Sequence, residues 1–316
     1  MISCWVLTDG KAGTENQCVG LAGALGVSPV IKRISLAMPW KSVSPYLRFA
    51  GISCVRESDC LAPPWPDLLI ASGRQSVEPA LAIARAAEGK TFLVQVQDPH
   101  ISRKLFDLVV VPRHDSLRGE NVFATRGALN RITKESLAAA AREFSGRFDH
   151  LPHPRVAVLI GGASSAYRMP PALAQEMAQK LAALPAGLMV TASRRTGAEQ
   201  IEILRRELSG PNVVFWDGKG ENPYFAMLAA ADVIMVTSDS ASMASEAATT
   251  GKPIYILPLE GGSRKFGRFH AMMQADGVSR PFAGKIESWE YEPFHDTADV
   301  AGRVKAMMTE RGMWHG

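Results

Sequence analysis

Val236-Thr237-Ser238-Asp239-Ser240-Ala241-Ser242-Met243-Ala244-Ser245-Glu246-Ala247, followed by Thr250-Gly251-Lys252-Pro253-Ile254, carries the fold in a single stretch. An apolar run meets a cluster of small hydroxyl residues. An alanine-rich helical pattern follows, Gly251 closes it, and a new apolar run begins after Pro253. Strand, helix and strand in that order form a parallel-sheet unit, because parallel strands need a crossover and the crossover covers the sheet. The free N–H groups and positive dipole end of the helix suit a diphosphate, so Ser238, Ser240 and Ser242 are candidate phosphate ligands. Ser242 and Glu246 are four apart and share one helix face. That puts a carboxylate one turn beyond the phosphates, placed to accept hydrogen bonds from ribose hydroxyls. Helix capping explains the serines but not Glu246 among so many alanines.

The same rhythm extends upstream. Val156–Ile160, Leu188–Thr191, Val213–Trp216, Val233–Val236 and Ile254–Leu257 read as strands, separated by helical patterns at Pro171–Leu184, Ala198–Leu208, Tyr224–Ala230 and Ser242–Thr249. In open α/β sheets, ligands bind at the carboxyl ends of the strands. There stand Gly161-Gly162-Ala163-Ser164-Ser165, the turn Ser193-Arg194-Arg195, and the basic, glycine-rich run Glu260–His270 with Arg264 and Lys265. Glycines let a backbone approach a phosphate or sugar, and arginines can clamp a diphosphate. A βα turn or a solvated charge run is the plainer reading of each.

The first half repeats the pattern, with strands at Ile2–Thr8, Pro29–Ile34, Leu68–Ser72, Phe92–Val96 and Leu108–Val111 and helices at Asn16–Leu25 and Val77–Ala87. At 316 residues the chain is too long for one ordinary core. The expected organisation is residues 1–151, residues 152–297 after the Pro152-His153-Pro154 link, and a helix in 298–316 that crosses back to the first domain. The first strand ends in Thr8-Asp9-Gly10-Lys11-Ala12-Gly13-Thr14-Glu15-Asn16. Asp9 and Glu15 are candidate bases, and Gly10, Lys11, Gly13 and Asn16 shape the loop beside them. Asp9, at the strand end, is the better base, since the helix dipole would lower the pKa of Glu15. A competing role for Asp9 is to cap its turn.

Composition narrows the classes further. The net charge of +4 is mild and does not call for nucleic acid. Cys4, Cys18, Cys54 and Cys60 contain no C-x-x-C pair and read as reduced thiols of an intracellular protein. The histidines form no H-x-H or H-E-x-x-H pattern, so no metal is expected. No basic leader and no run of about 18 apolar residues is present, which points to a cytoplasmic protein. Leu36–Pro66 fits no period, and its centre, Trp40–Phe49, mixes aromatic and basic residues as a headgroup interface does. It implies an anionic membrane surface as partner and a peripheral location at its inner face.

Trp5-Val6-Leu7-Thr8-Asp9-Gly10, Glu15-Asn16-Gln17 and Gly20-Leu21-Ala22 resemble the opening of the mitochondrial-fission "elongated mitochondria" family. Lys265-Phe266, Phe269-His270 and Gly284 to Tyr291 are similar to it too, so the resemblance runs from Ile2 to Val304. More distantly, Ser238–Pro253 resembles the donor-site helix of GT-B enzymes such as the GlcNAc transferase of peptidoglycan synthesis. That resemblance implies Ser240 and Ser242 at the phosphates, Glu246 at the ribose, and Gly161 and Gly162 in the loop opening the donor domain. Where that transferase has a glycine-rich loop ending in histidine, this chain has Asp9–Glu15.

The expectation is therefore an α/β protein of GT-B type, with two Rossmann-like doubly wound domains facing across a cleft. It would be a metal-independent glycosyltransferase without a cofactor, using a nucleoside-diphosphate sugar (UDP-linked) as donor substrate and an acceptor that is lipid-linked or of the cell envelope. The rivals are a non-hydrolysing nucleotide-sugar epimerase and a non-catalytic nucleotide-sugar-binding scaffold.

Overall fold

The computed structural model describes residues 2–46, 51–59, 61–216 and 218–314. The chain divides into two compact units, Met1–Arg131 with His295–Gly316, and Ile132–Phe294.

In unit 1 the elements run β1 (Cys4–Thr8), α1 (Ala12–Ala24), β2 (Pro29–Leu36), α2 (Trp40–Val43), β3 (Val55–Ser58), β4 (Leu68–Ser72), α3 (Val77–Ala86), β5 (Phe92–Val96), β6 (Leu108–Pro112) and β7 (Val122–Thr125). They form one seven-stranded sheet in the order β3-β2-β1-β4-β5-β6-β7, parallel except where β3 runs against β2. All five residues of β1, β4 and β5 are buried, as expected of strands covered on both faces. Side chains alternate between two cores. Cys4 and Val6 face one with Cys18 and Leu21 of α1, and Trp5 and Leu7 face the other with Val77 and Ala80 of α3. Cys4, Cys18 and Cys54 are free and buried, and burial pushes the Cys4 thiol up to about 12. Cys60 lies outside the described residues.

Unit 2 comprises α4 (Lys134–Glu143), β8 (Arg155–Ile160), β9 (Tyr167–Arg168), α5 (Pro171–Ala182), β10 (Gly187–Ala192), α6 (Ala198–Glu207), β11 (Val213–Trp216), α7 (Tyr224–Ala230), β12 (Val233–Thr237), α8 (Ala241–Thr249), β13 (Ile254–Leu257), β14 (Glu260–Gly261), α9 (Arg264–Ala275) and β15 (Ser279–Pro281). Its sheet is parallel, in the order β11-β10-β8-β12-β13-β15, with a small β14–β9 pair beside it. Helices α5 and α6 cover one face and α7, α8 and α9 the other. The strand order reverses between β1 and β4 in unit 1 and between β8 and β12 in unit 2. These are the switch points at which such sheets bind ligands.

The boundary is displaced from Leu151. Ile132, Ala140 of α4, Phe148 and Leu151 are all buried in the core of unit 2 beside Met227 and Leu228 of α7, so residues 132–151 belong there. The capping box of α4, Thr133 with Ser136, starts this segment just after the boundary. At the other end α10 (Asp296–Glu310) lies in unit 1, with Val300, Val304 and Met308 packed among Cys18 and Leu21. Buried Asp296 fixes its start by accepting from the backbone N–H groups of Arg126 (2.7 Å) and Gly127 (2.8 Å). Two loop expectations also change. Helix α1 begins at Ala12, so Gly13, Glu15 and Asn16 sit in its first turns. The basic run after Glu260 is a helix, α9, capped by the Ser263 hydroxyl.

Gly20 of α1 shows how tightly the layers meet, because a Cβ there would stand 2.3 Å from the carbonyl oxygen of Asn130. Gly23, one turn later, has open space around it. Gly20→Ala is expected to cost about 1–3 kcal/mol through overpacking. Gly23→Ala is expected to gain up to about 1 kcal/mol of helix propensity. Urea denaturation of both variants checks the contrast.

Candidate functional site

At the switch point of unit 2, the ends of β8, β10 and β12 are tied together by one carboxylate. Asp239 follows β12, and its side chain is wholly buried. It accepts from the Thr237 hydroxyl (2.7 Å) and the Gly162 backbone N–H (3.0 Å), and it pairs with the Arg195 guanidinium (2.7 Å). Thr237 in turn accepts from Gly161 N–H at 2.7 Å. Arg195 comes from the turn after β10, where Thr196 donates its hydroxyl to the Gly161 carbonyl and accepts from Ser193 N–H (3.0 Å).

This knot explains the glycines. A Cβ on Gly161 would stand 2.2 Å from the Asp239 carboxylate, and one on Gly162 would stand 2.1 Å from the Arg195 carbonyl. Both glycines are buried, so they serve the close approach of three strand ends, and the exposed residues that follow them are Ala163, Ser164 and Ser165. Both arginines are exposed, and of the two Arg195 reaches in to pair with Asp239.

Helix α8 starts beside the knot. Ser240 is its N-cap and accepts from Met243 N–H (3.3 Å). The N–H groups of Ala241 and Ser242, in the first turn, have no intrahelical acceptor. Ser242 is half-buried there. One turn on, Glu246 accepts a 2.6 Å hydrogen bond from the Tyr224 hydroxyl. Burial, and then the charge of Glu246, hold the Tyr224 phenol well above its ordinary range, so it stays protonated as the donor.

Ser238 is buried and its hydroxyl accepts from Leu259 N–H (3.0 Å), so it ties β12 to the segment after β13. Its carbonyl lies 2.8 Å from Nε2 of His270, on α9. Burial lowers the pKa of His270, which is therefore neutral with its proton on Nε2. Its Nδ1 is buried without a hydrogen-bond partner among the described residues. Arg264 and Lys265 occupy the first turn of α9 and are exposed.

In unit 1 the loop after β1 is also a polar web. The Asp9 side chain is only 6% exposed. Its carboxylate meets Lys11 Nζ (2.6 Å), Lys11 N–H (3.4 Å), the Thr14 hydroxyl (3.3 Å) and Gln75 Nε2 (3.4 Å). Gly10 takes φ +77° to make this turn. Glu15 lies apart from the web, held by both ends of the Arg33 guanidinium at 2.9 and 2.7 Å.

The structure thus brings Gly161, Gly162, Ser193, Ser238, Ser240, Ser242 and Glu246 to one edge of the unit 2 sheet. The sequence reading passed over Asp239, Thr196, Arg195 as the inward arginine, Tyr224 and His270. A carboxylate embedded in the hydroxyl cluster was the available signal for the first.

Two doubly wound parallel-sheet units, with a glycine turn and a serine-capped helix at the switch point of the second, define a protein of the GT-B fold. Solved structures agree with this class. UDP-GlcNAc 2-epimerase of Methanocaldococcus jannaschii, solved also in complex with UDP-GlcNAc and UDP, is 12% identical, with 98% of this chain and 100% of that one covered and a TM-score of 0.57. MurG of Acinetobacter baumannii is 12% identical, with 99% and 92% covered and a TM-score of 0.50. The chain belongs to the mitochondrial fission ELM1 family, whose model matches residues 12–308. The mitochondrial fission protein ELM1 of Arabidopsis thaliana is 29% identical to it over 97% of this chain and 91% of its own length.

Gly161→Ala is expected to cost about 1–3 kcal/mol, because its Cβ meets a carboxylate held from three sides. Exposed Ser165→Ala should stay within about 0.5 kcal/mol of the parent. Denaturant midpoints separate the two.

Proposed function

We propose that unit 2 binds a UDP-linked sugar and that the protein transfers the sugar to an acceptor hydroxyl. The observation that carries this reading is Glu246, held by Tyr224 one turn beyond the open N–H groups of α8. A diphosphate at the start of α8 would lie against the N–H groups of Ala241 and Ser242 and the hydroxyl of Ser242. A ribose hydroxyl would then donate to Glu246. The fixed geometry matters, because a carboxylate already oriented by Tyr224 loses less entropy on binding. Gly161 and Gly162, rigid on the Asp239 knot, would keep the β8 end low enough to leave room for the diphosphate. Arg194, Arg264 and Lys265 would add positive charge near the leaving group. Backbone dipoles and side chains alone then stabilise the departing diphosphate.

The reading assigns the base to Asp9. Arg33 occupies both oxygens of Glu15, whereas Asp9, itself paired with Lys11 at 2.6 Å, stands just after β1, with Thr14 and Gln75 also bonded to its carboxylate. The base would take the proton of the acceptor hydroxyl as the new glycosidic bond forms and the bond to the diphosphate breaks. The fold of a UDP-GlcNAc 2-epimerase is shared, so the products decide between the two chemistries. Release of UDP marks transfer, and an epimer without UDP release marks epimerisation.

Glu246→Ala is expected to weaken UDP by about 1.5–3 kcal/mol, the worth of a hydrogen bond to a charged group. Tyr224→Phe should weaken it less, since the carboxylate remains but loses its orientation. Calorimetry with UDP measures both, and no affinity in the parent protein would sink the reading. Asp9→Asn is expected to lower turnover about 100- to 10,000-fold while UDP affinity and melting temperature hold. Near-normal turnover would leave Asp9 as a turn cap, since asparagine keeps the acceptor that Lys11 N–H uses.

A further inference from the structure

Every polar group of Ser238 is held. Its N–H donates to the Leu257 carbonyl (2.9 Å), its hydroxyl accepts from Leu259 N–H (3.0 Å), and its carbonyl accepts from Nε2 of His270 (2.8 Å). A carbonyl can only accept, so the ring proton is on Nε2 and Nδ1 is left as a bare acceptor. That atom is buried and has no hydrogen-bond partner among the described residues. Burying an unanswered acceptor costs free energy that an apolar side chain would not cost. The imidazole is therefore a poor space-filler, and what it supplies is the Nε2 bond. Helix α9 keeps the ring in place from both sides. Phe269 and Met273 are buried in one core with Ala244 and Ala247 of α8, and Phe266 meets Tyr167 edge to face, ring centroids 5.1 Å apart.

The bond decides which way a peptide faces. Thr237–Ser240 is a turn, closed by Ser240 N–H on the Thr237 carbonyl (3.4 Å), and the Ser238–Asp239 peptide is its central unit. In such turns the central peptide can face either way, and the flipped form needs a positive φ at the third residue. Asp239, the third residue, does not take one. In a trans peptide the C=O and the N–H point in opposite directions. Turning the Ser238 carbonyl onto His270 thus turns Asp239 N–H away from the ring. That N–H has no hydrogen-bond partner among the described residues. Asp239 keeps 4% of its surface exposed although its side chain keeps none, so the open part is backbone. Its carboxylate is spent inward on Arg195, Thr237 and Gly162, and the guanidinium neutralises it. Next along the chain come the N–H groups of Ala241 and Ser242, which α8 leaves open. Nearby N–H groups of a turn running into a helix form a concave site for an anion.

We infer that His270 is a positioning residue for the donor diphosphate: by holding the Ser238 carbonyl it presents Asp239 N–H, beside those of Ala241 and Ser242, to the phosphate oxygens. The inference rests on the reading of the α8 start as the diphosphate site. It adds a backbone donor outside the helix and the side chain that aims it. The Asp239 carboxylate stays turned in and touches no ligand.

The test is calorimetry of the full chain with inorganic pyrophosphate and, separately, with UDP. His270→Phe keeps a ring but cannot donate, and it should weaken both ligands by roughly tenfold or more, the worth of a backbone hydrogen bond to a charged group. His270→Gln, whose amide can still donate to the Ser238 carbonyl, should recover most of that loss. Glu246→Ala should weaken UDP and leave pyrophosphate unchanged, which separates the ribose contact from the phosphate contact. In the parent protein the Asp239 amide proton should move downfield in the NMR spectrum when pyrophosphate is added, a readout that needs no variant. UDP and pyrophosphate bound by His270→Phe as tightly as by the parent overturn the inference and leave the UDP reading standing. An Asp239 amide that does not respond to pyrophosphate, or a His270→Gln variant no better than His270→Phe, overturns it as well. Pyrophosphate binding that depends on His270, without UDP binding, overturns the UDP reading and leaves the inference standing. A parent protein that binds neither overturns both.

Discussion

A buried carboxylate is expensive unless every lone pair is answered, and the candidate site is organised around one. Asp239 is answered by a hydroxyl, a backbone N–H and a guanidinium, each delivered by a different strand end. Removing any donor would leave a charge in a dry place, so β8, β10 and β12 are fixed in mutual register at their carboxyl ends. The geometry tolerates no side chain at Gly161 or Gly162. Helix α8 leaves from the same knot, with Ser240 capping it immediately after Asp239. The placement of Ser242 and Glu246 therefore rests on a group that itself contacts no ligand in the proposed scheme.

The two units use one architectural grammar for different ends. In unit 2 the loop after the first strand is locked by hydrogen bonds to its neighbours, and its polar groups are consumed internally. In unit 1 the equivalent loop gathers Lys11, Thr14 and Gln75 around Asp9, whose side chain is nearly enclosed. In each unit the switch point brings several strand ends together, and the few residues after the strands set which polar groups gather there.

The strands were legible because parallel strands buried on both faces leave unbroken apolar runs. Leu68–Ser72, Phe92–Val96 and Ile254–Leu257 have the bounds that the sequence pattern gives, as does the half-buried edge strand Val213–Trp216. What escaped was structure whose signal is not apolar. Strands β3 and β7 are short, lie at the two edges of their sheet, and carry mixed residues. Helix α9 begins with three cations in its first five positions and contains Gly267, which reads as a solvated loop until Ser263 is seen as its cap and Phe269 and Met273 as its buried stripe. The unit boundary was misplaced because Pro152-His153-Pro154 looks like a linker, whereas Phe148 and Leu151 have already entered the second core. At the site, the serines and Glu246 were readable from spacing. The role of Asp239 was not, since its partners come from positions 77 and 44 residues away in the chain (239 − 162 and 239 − 195).

The return of α10 to unit 1 has a consequence for how the chain is made. Residues 132–294 are continuous, so unit 2 has all its strands once they have left the ribosome. Unit 1 is interrupted, and one face of its sheet lacks Val300, Ala301, Val304 and Met308 until synthesis reaches α10. Domains ordinarily complete themselves in the order of synthesis. Here the later unit closes first, while Cys18, Leu21 and the rest of that face wait unsealed. The nascent chain carries an exposed hydrophobic surface through most of its elongation, and a ribosome that stalls before α10 leaves that surface permanently open.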